Sequence, residues 1–263
     1  MEQIAYIPQY HPMDIPPQEL PLLHLPNLQD LLPFIYSVGF LRGQFSDVAL
    51  QVSNFPTLQV HALIIAQSPF FAHLISQQSG PPYTLKIPTD DQYITPSSVA
   101  YVCQHLYRPI PHFEEDVDLK AVLATSIFFQ MDDLASRVIH HIRVERDLVS
   151  WIEFSGLSEA EDKNRYLPFS KHIQGMIMGY LSHQLPFHHP ESLVETLKPL
   201  PFAVVKKVLE ECSIENDMTR YQTAKKVCEA RGQGESVVLS FENGGKKVEV
   251  VRRGKGKKMW KIK

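Results

Sequence analysis

The stretch F-S-D-V-A-L-Q-V-S-N-F-P-T-L-Q-V-H-A-L-I-I-A-Q-S-P-F-F, Phe45 to Phe71, decides how the rest of the chain is read. Val48, Leu50 and Val52 alternate with polar or small residues, the period of a strand with one buried face. Asn54-Phe55-Pro56-Thr57 interrupts the alternation and Leu58 and Val60 resume it, so the spacing predicts a hairpin. From His61 the pattern becomes an unbroken apolar run, Ala62-Leu63-Ile64-Ile65-Ala66, which predicts a short buried helix. Ser68-Pro69 then sets a hydroxyl that can cap a helix before a proline whose missing N–H costs nothing at the first helical position. Phe70, Phe71, Leu74 and Ile75 follow at helical spacing.

Composition limits what surrounds this stretch. A chain of 263 residues with 44% hydrophobic and 21% charged residues has room for one or two domains with real cores. No apolar run approaches the roughly 20 residues that span a bilayer. The N-terminus shows no basic start followed by an apolar core, so neither a membrane segment nor a secretory signal is expected. Cys103, Cys212 and Cys228 each fall inside a helical pattern, which fits reduced thiols in an intracellular protein, cytoplasmic or nuclear.

Residues 1–27 carry Pro8, Pro12, Pro16, Pro17, Pro21 and Pro26 without a sustained period, which predicts a flexible arm, with a proline-rich ligand for a partner as the alternative. A helix is expected from Asp30 to Arg42, stopped by Gly43. It has two apolar stripes, Leu31-Leu32-Ile35 and Phe34-Val38-Leu41, so it needs two surfaces to bury them against. Tyr83, Leu85 and Ile87 alternate as a third strand, and Thr95-Pro96 caps a further helix carrying Val99, Val102, Cys103, Leu106 and Tyr107. Two amphipathic helices follow. Leu119, Val122, Leu123 and Ile127 line the first and Leu134, Val138, Ile139 and Ile142 the second, with a capping carboxylate expected at Met131-Asp132-Asp133 between them.

Residues 144–231 read as all-helical. Phe169, Ile173, Met176, Ile177, Tyr180 and Leu181 keep the 3.6 period, and Pro186 to Pro190 and Pro199-Leu200-Pro201 punctuate the segment. Val204, Val205, Val208 and Leu209 line one later helix, and Met218, Tyr221, Ala224 and Val227 another. In 232–263, Val237 to Phe241 and Val248 to Val251 flank Asn243-Gly244-Gly245, a hairpin with favoured turn chemistry. Residues 244–263 hold nine Lys or Arg and one acid, Glu249, a net +8, which leaves −11 on the other 243 residues of a chain whose total is −3. The run Arg252, Arg253, Lys255, Lys257, Lys258 is a candidate nuclear address or nucleic-acid contact, with Trp260 able to stack on a base; a solvated tail is the plainer alternative.

No catalytic set emerges. His140-His141 are adjacent on a helix, where neighbours point about 100° apart and share a metal poorly. His183 and His188-His189 surround Pro186 without a cysteine or carboxylate at zinc-ligand spacing. Phosphate-binding, dinucleotide and nucleophile-elbow fingerprints do not occur. No cofactor or metal is therefore expected, and the chain is read as a protein that is not an enzyme.

The combination Ser46-Asp47-Val48, a strand ending at His61, the apolar turn Leu63 to Ala66 and the step Ser68 to Phe71 resembles the BTB/POZ domain. The resemblance covers residues 28–143 and implies an α+β fold, a small sheet bearing a helical cluster. Residues 144–231 are similar to the helical BACK-like region that follows BTB domains, and the runs Leu200 to Glu210 and Asn216 to Val227 resemble fungal BTB proteins. In such a fold Asp47, His61, Ser68 and Phe70 would be structural. The helix bearing Leu31, Leu32, Phe34, Ile35, Val38 and Leu41 would pair with that of a second copy, making a homodimer, with a helix sunk wholly in its own domain as the alternative. Many such proteins are adaptors that hold a cullin scaffold and present a protein substrate to the ubiquitin ligase; here that surface would be Phe71, Leu74, Ile75, Tyr101 and His105. The hydrophobic-x-acidic triplet of many cullin binders is Ile75-Ser76-Gln77, without its acid. In repressor-type members Asp47 would match a pocket aspartate, but the basic residue expected after the histidine is Ala62, so that charged pocket is incomplete; the basic tail makes a nuclear, transcription-associated scaffold the alternative reading.

Overall fold

The computed structural model describes residues 31, 33–157, 166–189, 192–212, 214, 216–231, 236–240, 247–251 and 260–262. Its contacts divide the chain into two units, 1–138 and 139–263. The arm at 1–27, Leu32, the turn Asn243-Gly244-Gly245 and the run Arg252, Arg253, Lys255, Lys257 and Lys258 lie outside the described residues.

The alternation at Val48, Leu50 and Val52 buries all three side chains on one face of β1 (Val48–Val52). β2 (Leu58–Val60) returns antiparallel, with Val48 opposite Val60. β3 (Tyr83–Ile87) joins the other side of β1 in parallel, giving the order β2-β1-β3. A parallel neighbour needs a crossover, and α2 (Ala62–Ile65) and α3 (Pro69–Ser76) supply it. α2 corrects the expectation of a wholly buried helix: only Ile65 is buried, and Leu63 is 86% exposed. Four residues make one turn, so one side must face outward.

Ser68 has extended backbone angles and its hydroxyl accepts from the Phe71 N–H, the cap that the Ser-Pro step predicts. The same hydroxyl donates to the Phe129 carbonyl at 2.6 Å. Phe71 is fully buried with its ring 4.6 Å from that of Phe129, and Phe70 stands 5.4 Å from Phe128. α4 (Pro96–Tyr107) starts in a reciprocal capping box between Thr95 and Ser98. α5 (Leu119–Phe128) starts under Asp118, whose carboxylate accepts from Lys120 and Ala121 N–H.

α5 is not the amphipathic helix expected: every residue from Ala121 to Ser126 is buried. Its polar side chains are matched inside, Thr125 to Ser98 at 2.7 Å and the Ser126 hydroxyl to the Val122 carbonyl, so no face has to stay wet. α6 (Asp132–His141) does bury Leu134, Val138 and Ile139 along one side, with Asp132 and Asp133 in its first turn rather than at a cap.

The segment expected as a helix from Asp30 to Arg42 holds α1 (Ile35–Phe40), wound wider than an α-helix, with the Leu41 N–H reaching back to the Tyr36 carbonyl. Gly43, in the left-handed region at φ 62, ends the turn beyond it.

In the second unit α7 (Leu148–Ser155) buries Leu148, Trp151, Ile152 and Phe154 and ends at Gly156 in the left-handed region. α8 (Phe169–Gly179) runs through the wide segment 180–184 into α9 (Leu185–His188), burying Ile173, Ile177, Leu181 and Leu185. The break expected from Pro186 therefore does not fall at that residue: Pro186 lies in the first turn of α9, and the chain stays helical to His188. α10 (Leu193–Leu197), α11 (Phe202–Glu211) and α12 (Asp217–Arg231) follow. α12 buries Thr223, Ala224, Val227 and Cys228, while Met218 is 60% exposed, so the predicted face is rotated. At its last turn Arg231 donates to the carbonyls of Leu197, Lys198 and Leu200. β4 (Ser236–Ser240) and β5 (Lys247–Val251) pair antiparallel as expected. Beyond the predicted hairpin, β6 (Trp260–Ile262) adds a third strand, pairing the Trp260 backbone with Val250 instead of leaving it in a tail.

Candidate functional site

Three short elements meet at His61, where β2 ends and α2 begins. Asp47, just before β1, accepts from the Ala62 N–H at 2.7 Å through its carboxylate and from the Tyr83 N–H at 2.7 Å through its carbonyl. One residue thereby ties the start of α2 and the start of β3 to the head of β1. The Tyr107 hydroxyl, at the end of α4, accepts from the His61 N–H at 2.8 Å and lies 2.8 Å from His61 Nδ1. A hydroxyl that already accepts has its own proton left to give, so it donates to Nδ1; Nε2 then carries the ring proton and donates to the Gln44 carbonyl at 3.0 Å. Burial pushes the Tyr107 phenol well up, against the opposing pull of the His61 N–H, so it stays a neutral donor.

This junction positions α1. Gly39 is its one buried residue, and a Cβ there would come within 3.0 Å of His61 Cε1. A larger residue there would press on the His61 ring, which would have to give by a few tenths of an ångström for the helix to lie this close. Phe40 packs its ring 4.8 Å from Tyr107, Tyr36 stacks on Phe40, and the Arg108 guanidinium lies 5.9 Å over Tyr36. The rest of the α1 stripe is incompletely covered: Leu31, Phe34, Ile35 and Val38 are half-buried and Leu41 is 54% exposed. Phe45, next to the Gln44 that His61 holds, is 69% exposed, and Leu63 stands two residues past His61. Neither Phe45 nor Leu63 was singled out as a site residue from the sequence. For Leu63 a signal was there, since a one-turn helix cannot bury four apolar residues in a row; Phe45, in the turn before β1, carried none.

The residues expected on a scaffold-docking surface divide. Phe71 belongs to the core and not to any surface, because its ring fills the space under Phe129. Leu74 and Ile75 are half-buried on α3. Tyr101 and His105 sit elsewhere, on the side of α4 that meets the 108–118 connection. There Tyr101 stacks on Phe113, and His105 Nδ1 accepts from the Ile110 N–H at 3.1 Å. Burial, then the charge of Arg137, lowers the His105 pKa; burial, then Glu114, raises that of Tyr101.

Among the described residues no group of His, Cys, Asp or Glu is placed to hold a metal ion, and no helix is long and apolar enough to cross a membrane. Cys103, Cys212 and Cys228 are buried, and burial pushes the Cys103 thiol up to about 12. That is the setting of an inert packing residue.

The first unit is thus a small mixed sheet with a helical cluster, with apolar side chains left exposed at one junction. The family model for the BTB/POZ domain matches residues 36–145, and the chain carries that protein-interaction domain. The "BTB/POZ domain-containing protein 2" of Schizosaccharomyces pombe is 28% identical over 257 residues, covering 87% of this chain and 90% of that protein. The likeness therefore extends through both units.

Proposed function

We propose that the protein is a self-associating adaptor: a second copy covers the α1 face, and the paired platform holds other proteins. One observation carries this. Leu41, Phe45 and Leu63, all large and apolar, are more than half exposed around a single hydrogen-bonded junction, while the core behind them is fully packed. Burying such a side chain completely from full exposure is worth about 1.5–3 kcal/mol; these three have half or more of that left to gain, and a two-fold contact counts each of them twice. A twin helix face is the complementary surface, because it offers the same apolar composition.

Sedimentation at rising concentration tests the reading. Wild type is expected to sediment as a dimer, and Leu41→Asp with Leu63→Asp as a folded monomer with an unchanged helical signal. A wild type that stays monomeric at high concentration overturns it. The finer role, recruitment of a protein substrate to a cullin-RING ubiquitin ligase, draws on the resemblance and on Leu74 and Ile75 of α3. Capture of a cullin by wild type and its loss in Ile75→Asp is the expected result; equal capture by both removes α3 from the contact. The net +8 of residues 244–263 favours one second reading, a nuclear role in which the tail contacts nucleic acid. It predicts DNA affinity that falls steeply with salt.

A further inference from the structure

The outer edge of β3 is closed by a side chain. In the parallel ladder the Tyr83 N–H donates to the Asp47 carbonyl, and the Ile87 carbonyl accepts from the Ser53 N–H. Residues two apart share a side of a strand, so Tyr83, Leu85 and Ile87 spend their backbone groups on β1. Thr84 and Lys86 then point theirs away from the sheet, at an edge where β3 has no strand neighbour among the described residues. Such a row of free N–H and C=O groups is a template for pairing with another chain. Thr84 does not offer its pair. The Gln78 carboxamide accepts from the Thr84 N–H at 3.3 Å through Oε1 and donates to the Thr84 carbonyl at 3.2 Å through Nε2. One side chain thus makes both bonds that a residue of an added strand would make.

We infer that Gln78 is an edge stopper, which keeps the sheet of the first unit from being extended by a strand of another molecule and leaves association to side-chain surfaces. The chain places Gln78 for this: it follows α3 closely, its own N–H turns back to the Ile75 carbonyl, and Gly80 at φ 143 sends the chain round into β3. Lys86, the next outward-facing position, is exposed and charged, a second common means of blunting an edge. The other sheet shows the same device independently. The Glu210 carboxylate accepts from the Val238 N–H at 3.1 Å, and Arg220 donates to the Ser240 carbonyl at 3.3 Å, both on edge strand β4. The inference does not depend on the second-copy reading above, since it concerns species larger than whatever wild type forms.

The test is Gln78→Ala in the full chain, read by amide hydrogen exchange and by sedimentation. The expected result is exchange at the Thr84 N–H faster by about tenfold or more, with assemblies above the wild-type size growing with concentration. Adding Lys86→Pro removes an outward N–H without touching the ladder to β1, and is expected to return the variant to the wild-type size. Unchanged Thr84 exchange overturns the inference, because the carboxamide would then not hold the edge in solution. Faster exchange with no larger assemblies overturns it too, as do larger assemblies that Lys86→Pro leaves in place. Loss of the dimer in the Leu41→Asp, Leu63→Asp variant bears only on the earlier proposal.

Discussion

α5 and α1 are both apolar nearly all the way round, and the domain treats them in opposite ways. α5 is sheathed: six consecutive residues are buried and its hydroxyls are matched internally. α1 touches the domain through Gly39, Phe40 and the His61 junction, and much of its apolar surface is only half covered. Apolar composition alone does not separate a core helix from an interface helix. The separating feature is how much else in the same chain is free to cover it, and a glycine that brings one side close commits the opposite side outward.

The sharpest way to break this contrast is to make one change in both helices. Leu123→Asp buries a carboxylate with no partner and no water, a cost of several kcal/mol that a domain of this size does not sustain. The variant is expected to lose its cooperative unfolding transition. Leu41→Asp places the same group on a side chain already 54% exposed, so the monomer is expected to keep its denaturation midpoint and lose only association. If both variants unfold, α1 is a core helix and the contrast is void.

A smaller effect probes what holds the core side together. Ser68→Ala removes the cap on α3 and the hydrogen bond to the Phe129 carbonyl, leaving two buried groups without partners. The expected loss is about 1–3 kcal/mol in urea denaturation with an unchanged slope. Thr95→Ala, at a half-buried cap, is expected to cost less, about 1 kcal/mol. A reversed order would mean that the Phe129 bond contributes little.

Much of the first unit was legible because its signals are local. Alternation gave β1 and β3, Ser-Pro and Thr-Pro gave the starts of α3 and α4, and the His61 step placed the junction. What failed was whatever depends on neighbours distant in sequence. Phe71 and Leu74 share a helical stripe in the sequence, yet Phe129, 58 residues beyond Phe71, decides that Phe71 is core. The carbonyls of Lys198 and Leu200 that the Arg231 guanidinium meets at the end of α12 lie more than 30 residues earlier in the chain, which no period reveals. Gln78 is invisible for a similar reason: glutamine in a turn carries no pattern, and its role exists only once β3 has joined β1 in parallel.

The smallest effect concerns pH at the α4 side of the domain. His105 Nδ1 accepts from the Ile110 N–H, a bond only the neutral ring can make, and Arg137 holds the adjoining 108–118 connection by donating to the Ile110 and Pro111 carbonyls. Burial, and then the Arg137 charge, hold the His105 pKa below its ordinary 6.5. A base whose folded pKa is depressed contributes stability that is present above its unfolded pKa and lost as pH falls below that value toward the folded one. Stability is therefore expected to drop as the solution is acidified from about pH 7.5 to about pH 5.5, with amide exchange at Ile110 rising first. His105→Gln keeps an acceptor that cannot protonate, so it should flatten the part of the slope owed to this site while other titrating groups keep theirs. Equal slopes in wild type and variant, with Ile110 protected throughout, would show that the α4 side is held by Arg137 alone and that His105 is a bystander there.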